Sequence, residues 1–123
     1  MTSRPCLIYE RGGRTLGSAV LHLRIKQNSV VRLRVALQLC RALKFLHELG
    51  VLNLDLKGNN VLYSVSTDRI RIIDFGLSQL IAGNENPYFA VSRNKPCCYL
   101  RAAYEYSTQR KFTTKTDIYS LLF

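Results

Sequence analysis

Residues 29–49 carry the most regular hydrophobic pattern in the chain and predict one long amphipathic helix. Ser29 is a residue type that often caps the start of a helix, and Gly50 is a stop signal at the other end. Arg41 and Lys44 lie among the apolar positions, and their long side chains can extend from the flank of the helix to water. The apolar residues recur at steps of three and four: Leu33, Leu37, Cys40, Leu43 or Phe45, and Leu46.

Shorter elements surround this helix. Residues 61–65 and 69–73 are rich in β-branched and aromatic side chains, and three turn-forming residues join them, so the two runs predict a small β-hairpin. Between residues 76 and 114 the periodicity is lost, and a loop of this length in a compact domain is usually functional or disordered. Weaker signals predict a strand over residues 6–10, a helix over residues 15–23 and a helix from about residue 115.

Length and composition restrict the class of protein. The chain has 123 residues, of which 47% are hydrophobic, so it can form one domain with a modest core. No apolar run approaches the roughly eighteen residues of a membrane-spanning helix, and Arg4, Arg11 and Arg14 interrupt the start before a signal-peptide core can form. The four cysteines form no C-x-x-C pair, so no zinc site is indicated. We therefore expect an intracellular, cytoplasmic protein with reduced thiols and no membrane span.

The formal net charge of +10 raises nucleic-acid binding as an alternative, because basic side chains gain free energy when they displace counterions from phosphates. The cations are spread from Arg4 to Lys115 without a block of five or six, and aromatic residues do not interleave with them. Nucleic acid is therefore the least favoured partner.

Two short motifs flank the predicted hairpin. Asp55-Leu56-Lys57 and Asn60 resemble the D-L-K-x-x-N core of the catalytic loop of protein kinases, and Asp74-Phe75-Gly76 resembles the magnesium-binding D-F-G of the same family. The two motifs occur in the expected order with a hairpin of suitable length between them. Together they are a much stronger signal than either motif alone.

Further matches extend the resemblance over most of the chain. Residues 43–50 are similar to the end of the helix before the catalytic loop, residues 103–105 to the A-P-E motif, and residues 116–120 to the T-D-V-Y-S start of a central helix. The resemblance implies an α+β fold, a protein-kinase-like C-lobe fragment that is mainly α-helical with a small β-hairpin and essentially lacks the N-lobe. Its segments would be the last N-lobe strand and hinge at 1–10, a long helix at 29–49, the catalytic loop at 51–62, the activation segment at 74–105 and the start of the central helix at 115–123.

The resemblance also implies a role for each motif residue. Asp55 would accept the proton of the substrate hydroxyl, and Lys57 would contact the transferring phosphate of ATP. Asn60 and Asp74 would bind Mg²⁺, for which oxygen ligands are suited. The remaining ATP contacts are expected from Glu10 in the hinge and from Leu62 beneath the adenine. Lys57 also favours serine or threonine over tyrosine as the acceptor, so the implied partners are ATP and a protein substrate.

Several positions depart from the family pattern. Asn53 and Leu54 replace the usual His-Arg before the catalytic aspartate, and Leu54 cannot make a bidentate contact to an activation-loop phosphate. Tyr104 replaces the proline of A-P-E. Neither a G-x-G-x-x-G loop nor a V-A-I-K-type lysine precedes Cys6, and Glu105 lacks its usual arginine partner. We therefore expect marginal stability and weak or absent activity for this chain alone.

One alternative keeps the family but removes the chemistry. The chain can be a catalytically inactive kinase-like module that binds another protein, such as a complete kinase or a scaffold.

Two further residues are expected to have structural roles. His47 is expected to pack or form a hydrogen bond at the end of its helix rather than to take part in catalysis, and Phe75 is expected to pack in the core.

Overall fold

The computed structural model describes residues 8–22, 28–81, 89–90 and 111–121. These residues form a mixed α+β arrangement, which confirms the coarse fold class. Within them no helix has both the length and the apolar character needed to cross a membrane. The described helices are α1 (Leu16–His22), α2 (Ser29–Glu48) and α3 (Thr114–Ser120). The described strands are β1 (Arg14–Thr15), β2 (Val51–Leu52), β3 (Val61–Ser64), β4 (Arg69–Ile72), β5 (Gln79–Leu80), β6 (Phe89–Ala90) and β7 (Lys111–Phe112).

The N-cap of the long helix α2 lies one residue before the predicted one. Asn28, not Ser29, is the N-cap, because its Oδ1 accepts hydrogen bonds from the backbone N–H groups of Val30 at 3.1 Å and Val31 at 3.2 Å. At the other end Gly50 adopts a φ of 70°, a left-handed conformation in which glycine has no steric cost. The predicted stop signal at Gly50 is therefore confirmed.

The buried face of α2 differs from the predicted face. Val35 and Leu43 are buried, and three partly buried residues pack beside them: Val31, Leu39 and Leu46. Leu33 and Leu37 are 71% and 50% exposed, and Cys40 is also exposed, so these positions of the predicted stripe are wrong. The first half of α2 carries apolar residues around most of its circumference, and the choice of face depends on where the other elements lie.

The predicted hairpin is present as β3 and β4, which pair antiparallel with Val61 opposite Ile72 and Ser64 opposite Arg69. β1 adds a third strand on the other side of β3. The strand predicted over residues 6–10 is not found at residues 8–10, and residues 6 and 7 lie outside the described part. The chain enters β1 later, through Gly13, whose φ of 107° is strained for any residue with a Cβ.

Side chains fix the hairpin to α2. The Tyr63 hydroxyl donates to Oδ1 of Asp68 at 2.7 Å, and Arg34 lies 3.0 Å from the other oxygen of the same carboxylate. Gln38 bonds the turn twice, since its Nε2 donates to the Asp68 carbonyl at 3.0 Å and its Oε1 accepts from the Ile70 N–H at 3.1 Å. The hydrogen bond to Asp68, together with burial, raises the pKa of Tyr63 above its ordinary value of 10.0.

Among residues 8–22, 28–81, 89–90 and 111–121, the apolar core is divided into three small clusters. Leu43 of α2 packs with Leu56 and Val61, so this cluster joins the long helix to the Asp55–Asn60 loop and to β3. Full burial of one leucine side chain stabilises a fold by about 1.5–3 kcal/mol. The other two clusters contain Ala19, Val35 and Tyr63 in one and Leu52 and Phe112 in the other.

Short strand pairs interrupt the region between residues 76 and 114, which was predicted to be a loop. β2 pairs with β5, and β6 pairs with β7, each through two residues. Strands of two residues are too short to produce a detectable alternation in the sequence. Most of the predicted activation segment, including Tyr104 and Glu105, lies outside the described residues.

Candidate active site

A buried carboxylate holds the start of the loop that contains Asp55. Asp117, in the first turn of α3, is fully buried, and its two oxygens accept from the backbone N–H groups of Asn53 and Leu54, both at 2.8 Å. Nε2 of His47, near the end of α2, lies 2.9 Å from Oδ2 of Asp117. Asp117 thus joins α2, the loop and α3, and it satisfies the need of a buried carboxylate for hydrogen-bond donors.

The role of Asp117 was not predicted from the sequence, although the residue belongs to the match at 116–120. The sequence signal was an acidic residue in the first turn of a predicted helix. Only the fold shows that backbone N–H groups of the loop bond to its carboxylate. The prediction for His47, a hydrogen bond at a helix end, is confirmed by its contact with Asp117.

The backbone before Asp55 adopts an unfavourable conformation. Leu54 has a φ of 63°, in the left-handed region, where a residue with a Cβ is disfavoured by about 1–2 kcal/mol. Its N–H is bonded to Asp117, and Ser78 Oγ donates to the carbonyl of Asn53 at 3.1 Å. These bonds hold the strained backbone in place, and strain of this kind is concentrated at functional sites.

Asp55, Lys57 and Asn60 form a closed hydrogen-bonded group. Nζ of Lys57 lies 3.0 Å from Oδ1 and 2.7 Å from Oδ2 of Asp55. Nδ2 of Asn60 donates to the carboxylate of Asp55 at 2.7 Å and to its backbone carbonyl at 3.0 Å. The side chains of Asp55 and Lys57 are 9% and 35% exposed, so the group reaches the surface through the lysine.

Asn60 is oriented by these bonds. Both use its amide nitrogen, which leaves the amide oxygen for another partner such as a cation. The residue itself is buried. An amide oxygen fixed in this way is a suitable ligand for a hard cation.

Asp74 is connected to the group through the backbone. The N–H of Ile73 donates to the carbonyl of Asn60 at 2.9 Å, so Asp74 directly follows a residue bonded to Asn60. Asp74 is exposed and has a φ of 61°, and its Oδ1 accepts from the Gly76 N–H at 3.2 Å. Phe75 is 45% exposed, so the prediction that it packs in the core is wrong in this structure.

The two remaining predicted residues lie at the sheet. Leu62 is opposite Thr15 of β1, and its side chain lies against Gly12, where a Cβ would collide with it. Glu10 is exposed, and its carboxylate pairs with Arg71 at 2.8 Å. Arg71 also donates to the carbonyl of Arg11 at 3.2 Å, so it attaches residues 10 and 11 to β4. The side chain of Leu62 therefore lies against Gly12 of the 8–13 segment, whereas the carboxylate of Glu10 forms an ion pair with Arg71.

The described residues contain no group of three or more His, Cys, Asp or Glu side chains arranged as metal ligands. A site formed by Asn60 and Asp74 does not require such a group. Mg²⁺ in nucleotide sites is commonly held by one or two protein oxygens together with phosphate oxygens and water.

Comparisons with known proteins agree with the motifs. The family described as "Protein kinase domain" matches residues 6–122. Serine/threonine-protein kinase mos of Patiria pectinifera is 34% identical over 93% of this chain and 33% of its own length. Extracellular signal-regulated kinase 1 of Candida albicans is 36% identical over 68% of this chain and 20% of its own length. Receptor tyrosine-protein kinase erbB-4 of Homo sapiens is 33% identical over 75% of this chain and 7% of its own length. This chain therefore spans a third or less of the length of these curated relatives.

Proposed function

The chain belongs to the protein kinase family, and on that premise we propose that it is a C-lobe part of a catalytic domain that transfers the γ-phosphoryl group of ATP to serine or threonine hydroxyls of proteins. The observation that carries the proposal is the closed group of Asp55, Lys57 and Asn60, with Asp74 joined to it through Ile73 and the Asn60 carbonyl. Phosphoryl transfer mainly requires positioning and charge neutralisation, and this group supplies a carboxylate, an ammonium and an oriented amide.

The proposed chemistry assigns one task to each side chain. Asp55 orients the acceptor hydroxyl and takes its proton as the new O–P bond forms and the bond from the γ-phosphorus to the β-phosphate oxygen breaks. Lys57 turns from Asp55 toward the transferring phosphoryl group, which carries negative charge on its equatorial oxygens. Because Lys57 is partly exposed, this reorientation does not require repacking of the core.

Asn60 and Asp74 are the proposed Mg²⁺ ligands. Both offer oxygen atoms, Asn60 is fixed by Asp55, and Asp74 is exposed on the adjoining backbone. A bound Mg²⁺ neutralises charge on the phosphate oxygens. Leu62 and the 8–13 segment, which meet at Gly12, are the proposed contacts for the adenine.

The second candidate is a kinase-like module without activity that binds another kinase or a scaffold protein. Several large apolar side chains of α2 are exposed in the structure, namely Leu33, Leu37 and Phe45, and such groups favour contact with another protein.

For the first candidate, the proposed preference for serine and threonine rests on Lys57. Phosphoryl transfer by the isolated chain is expected to be weak or absent.

Magnesium-dependent nucleotide binding tests the proposal. In a thermal melting experiment, ATP with Mg²⁺ should raise the Tm of the wild-type chain by several degrees, whereas ATP with EDTA should leave the Tm unchanged. Asp74→Asn should abolish the shift while keeping the fold, since asparagine tolerates a left-handed φ as well as aspartate does. Glu48→Gln, an exposed change on α2, is the matched control and should keep the shift. A chain that unfolds cooperatively but shows no shift would contradict the nucleotide-binding proposal and favour the second candidate.

A further inference from the structure

Asn53 is a fully buried polar residue directly before the strained part of the loop. Its backbone N–H donates to Asp117, and its backbone carbonyl accepts from Ser78 Oγ. Its side-chain Oδ1 accepts from the N–H of Asp55 at 3.2 Å, which makes an Asx turn across Leu54. Asn53 therefore contacts Asp55 through the side chain and the rest of the structure through the backbone.

The other half of the Asn53 amide has no partner. Within the described residues, Nδ2 of Asn53 is the buried side-chain polar atom that lacks a hydrogen bond. A buried donor without a partner costs free energy, and an apolar residue of the same shape avoids this cost. Both backbone bonds of Asn53 can be made by any residue type except proline, which lacks the N–H. What the asparagine side chain adds is the hydrogen bond that its Oδ1 accepts from the Asp55 N–H.

We propose that Asn53 is a positioning residue for Asp55 and Asn60, an inference that rests on the proposed kinase function. Leu54 stands between Asn53 and Asp55 with its φ of 63°. Asp117 holds the N–H of Leu54, and Asn53 holds the N–H of Asp55, so the left-handed turn is fixed on both sides. Without the Asn53 bond, Leu54 can relax toward a negative φ, and the peptide that carries Asp55 rotates.

The position of Asp55 then sets the position of Asn60. Nδ2 of Asn60 bonds both the backbone carbonyl and the carboxylate of Asp55, so a rotation at Asp55 moves the Asn60 amide with it. The path runs from Asn53 Oδ1 to the Asp55 N–H, and from the Asp55 oxygens to Asn60. Asn53 thus acts on the catalytic carboxylate and on a proposed Mg²⁺ ligand without contact with substrate or nucleotide.

The test separates positioning from folding through two variants of Asn53. Asn53→Leu keeps the shape, removes the Oδ1 acceptor and also removes the unpaired donor, so its Tm should stay within a few degrees of wild type. Asn53→Ser keeps a shorter acceptor that can form a weaker turn of the same kind. Asn59→Ala changes an exposed amide in the same loop and is the matched control.

Two readouts are measured on the full chain. Native-state hydrogen exchange of the Asp55 N–H should become roughly tenfold faster or more in Asn53→Leu, intermediate in Asn53→Ser and unchanged in Asn59→Ala. The Kd for ATP with Mg²⁺, measured by calorimetry, should rise on the order of tenfold in Asn53→Leu, with partial recovery in Asn53→Ser.

Each outcome decides between the proposals. An unchanged Asp55 exchange rate in a folded Asn53→Leu overturns the positioning role, as does a fall in Tm that fully accounts for the weaker binding. If Asn53→Leu does not fold, Asn53→Ser decides, because wild-type exchange in that variant contradicts the inference. A wild-type chain without nucleotide binding removes the proposed function, whereas the exchange readout still tests whether Asn53 holds Asp55.

Discussion

Asp117 is the residue that joins the loop of the candidate site to two helices. Its carboxylate accepts two backbone N–H groups of the loop and lies within hydrogen-bond distance of His47, and it is fully buried. A buried acceptor with three partners keeps Leu54 in its left-handed conformation, and Asp55 follows in the chain. One residue of α3 therefore sets the geometry of a loop more than sixty residues earlier in the chain.

Asp117→Asn should weaken this junction. The amide can accept on one oxygen only, so at least one backbone N–H of the loop loses its partner, and hydrogen bonds to charged groups contribute about 1.5–3 kcal/mol each. We expect the free energy of unfolding, measured by urea denaturation, to fall by about 2–3 kcal/mol. Glu48→Gln, which removes an exposed ion pair with Lys44, should change it by less than about 0.5 kcal/mol. Equal stability of Asp117→Asn and wild type would show that the three contacts do not hold the loop.

The connection between the hairpin and α2 is the main feature at the scale of elements. Asp68 lies at the turn of the hairpin with a φ of 50°. Its carboxylate accepts a hydrogen bond from the Tyr63 hydroxyl and forms an ion pair with Arg34, and its backbone carbonyl accepts from Gln38. These contacts position β3, and the Asp55–Asn60 loop leads directly into β3. The predicted site thus depends on the packing of the hairpin against the long helix.

The raised pKa of Tyr63 makes part of the stability pH-dependent. The hydrogen bond to Asp68 and burial favour the neutral phenol in the folded state, so the folded protein keeps its proton at a pH where the unfolded chain has lost it. The contribution is complete below about pH 10 and decreases as the pH rises from there through the raised folded-state pKa. The difference in unfolding free energy between wild type and Tyr63→Phe should be about 1–2 kcal/mol at pH 7 and should shrink above pH 10. A difference that is constant from pH 7 to pH 11 would contradict the assigned contact.

The entry into β1 depends on Gly13. Its φ of 107° suits glycine, and a Cβ at this position would collide with the backbone carbonyl of Tyr63. Gly13→Ala should therefore destabilise the sheet by more than the roughly 1 kcal/mol typical of a left-handed residue. At Gly12 the three atoms nearest to the added Cβ all belong to the flexible side chain of Leu62, so Gly12→Ala should cost less in a thermal unfolding experiment. The reverse order would show that the chain enters β1 differently.

At the scale of the whole molecule, the small core coexists with many exposed apolar side chains. Within the part of the chain that the structure describes, the core consists of clusters of two or three buried residues, whereas Leu33, Leu37, Phe45, Leu49 and Leu80 are each at least half exposed. Small domains with limited burial are marginally stable, so marginal stability of this chain alone stays a prediction. Exposed apolar surface of this extent also promotes association between copies.

Polar substitutions on the exposed side of α2 should reduce association without unfolding the chain. In size-exclusion chromatography with light scattering, the double variant Leu33→Gln and Leu37→Gln should have a smaller mass than wild type. This mass should not depend on protein concentration. The Tm of this variant should stay close to wild type, because both side chains are at least half exposed. Leu43→Ala, at a fully buried position, is the comparison and should lower stability by about 2–5 kcal/mol. Unchanged association of the double variant would place the contact surface elsewhere.

Local patterns in the sequence are enough to identify the family, the long helix, the hairpin and the candidate residues of the loop. These features depend on local patterns: a period of three to four over residues 29–49, two β-rich runs around a turn, and motifs whose residue types serve phosphate chemistry. Lys57 and Asn60 meet Asp55 because all three lie within six residues of one loop. Contacts at such short range follow from spacing.

Long-range packing, in contrast, sets which face of α2 is buried, where the third strand lies and which groups hold the loop. Leu33 and Val35 are equally apolar in the sequence, and only the positions of α1 and the hairpin bury Val35 and expose Leu33. The bonds from Asp117 to Asn53 and Leu54 span more than sixty residues, and no local pattern encodes such a pairing. Burial and long-range hydrogen bonds are properties of the assembled chain, because each depends on a partner whose place is fixed only when the elements pack together.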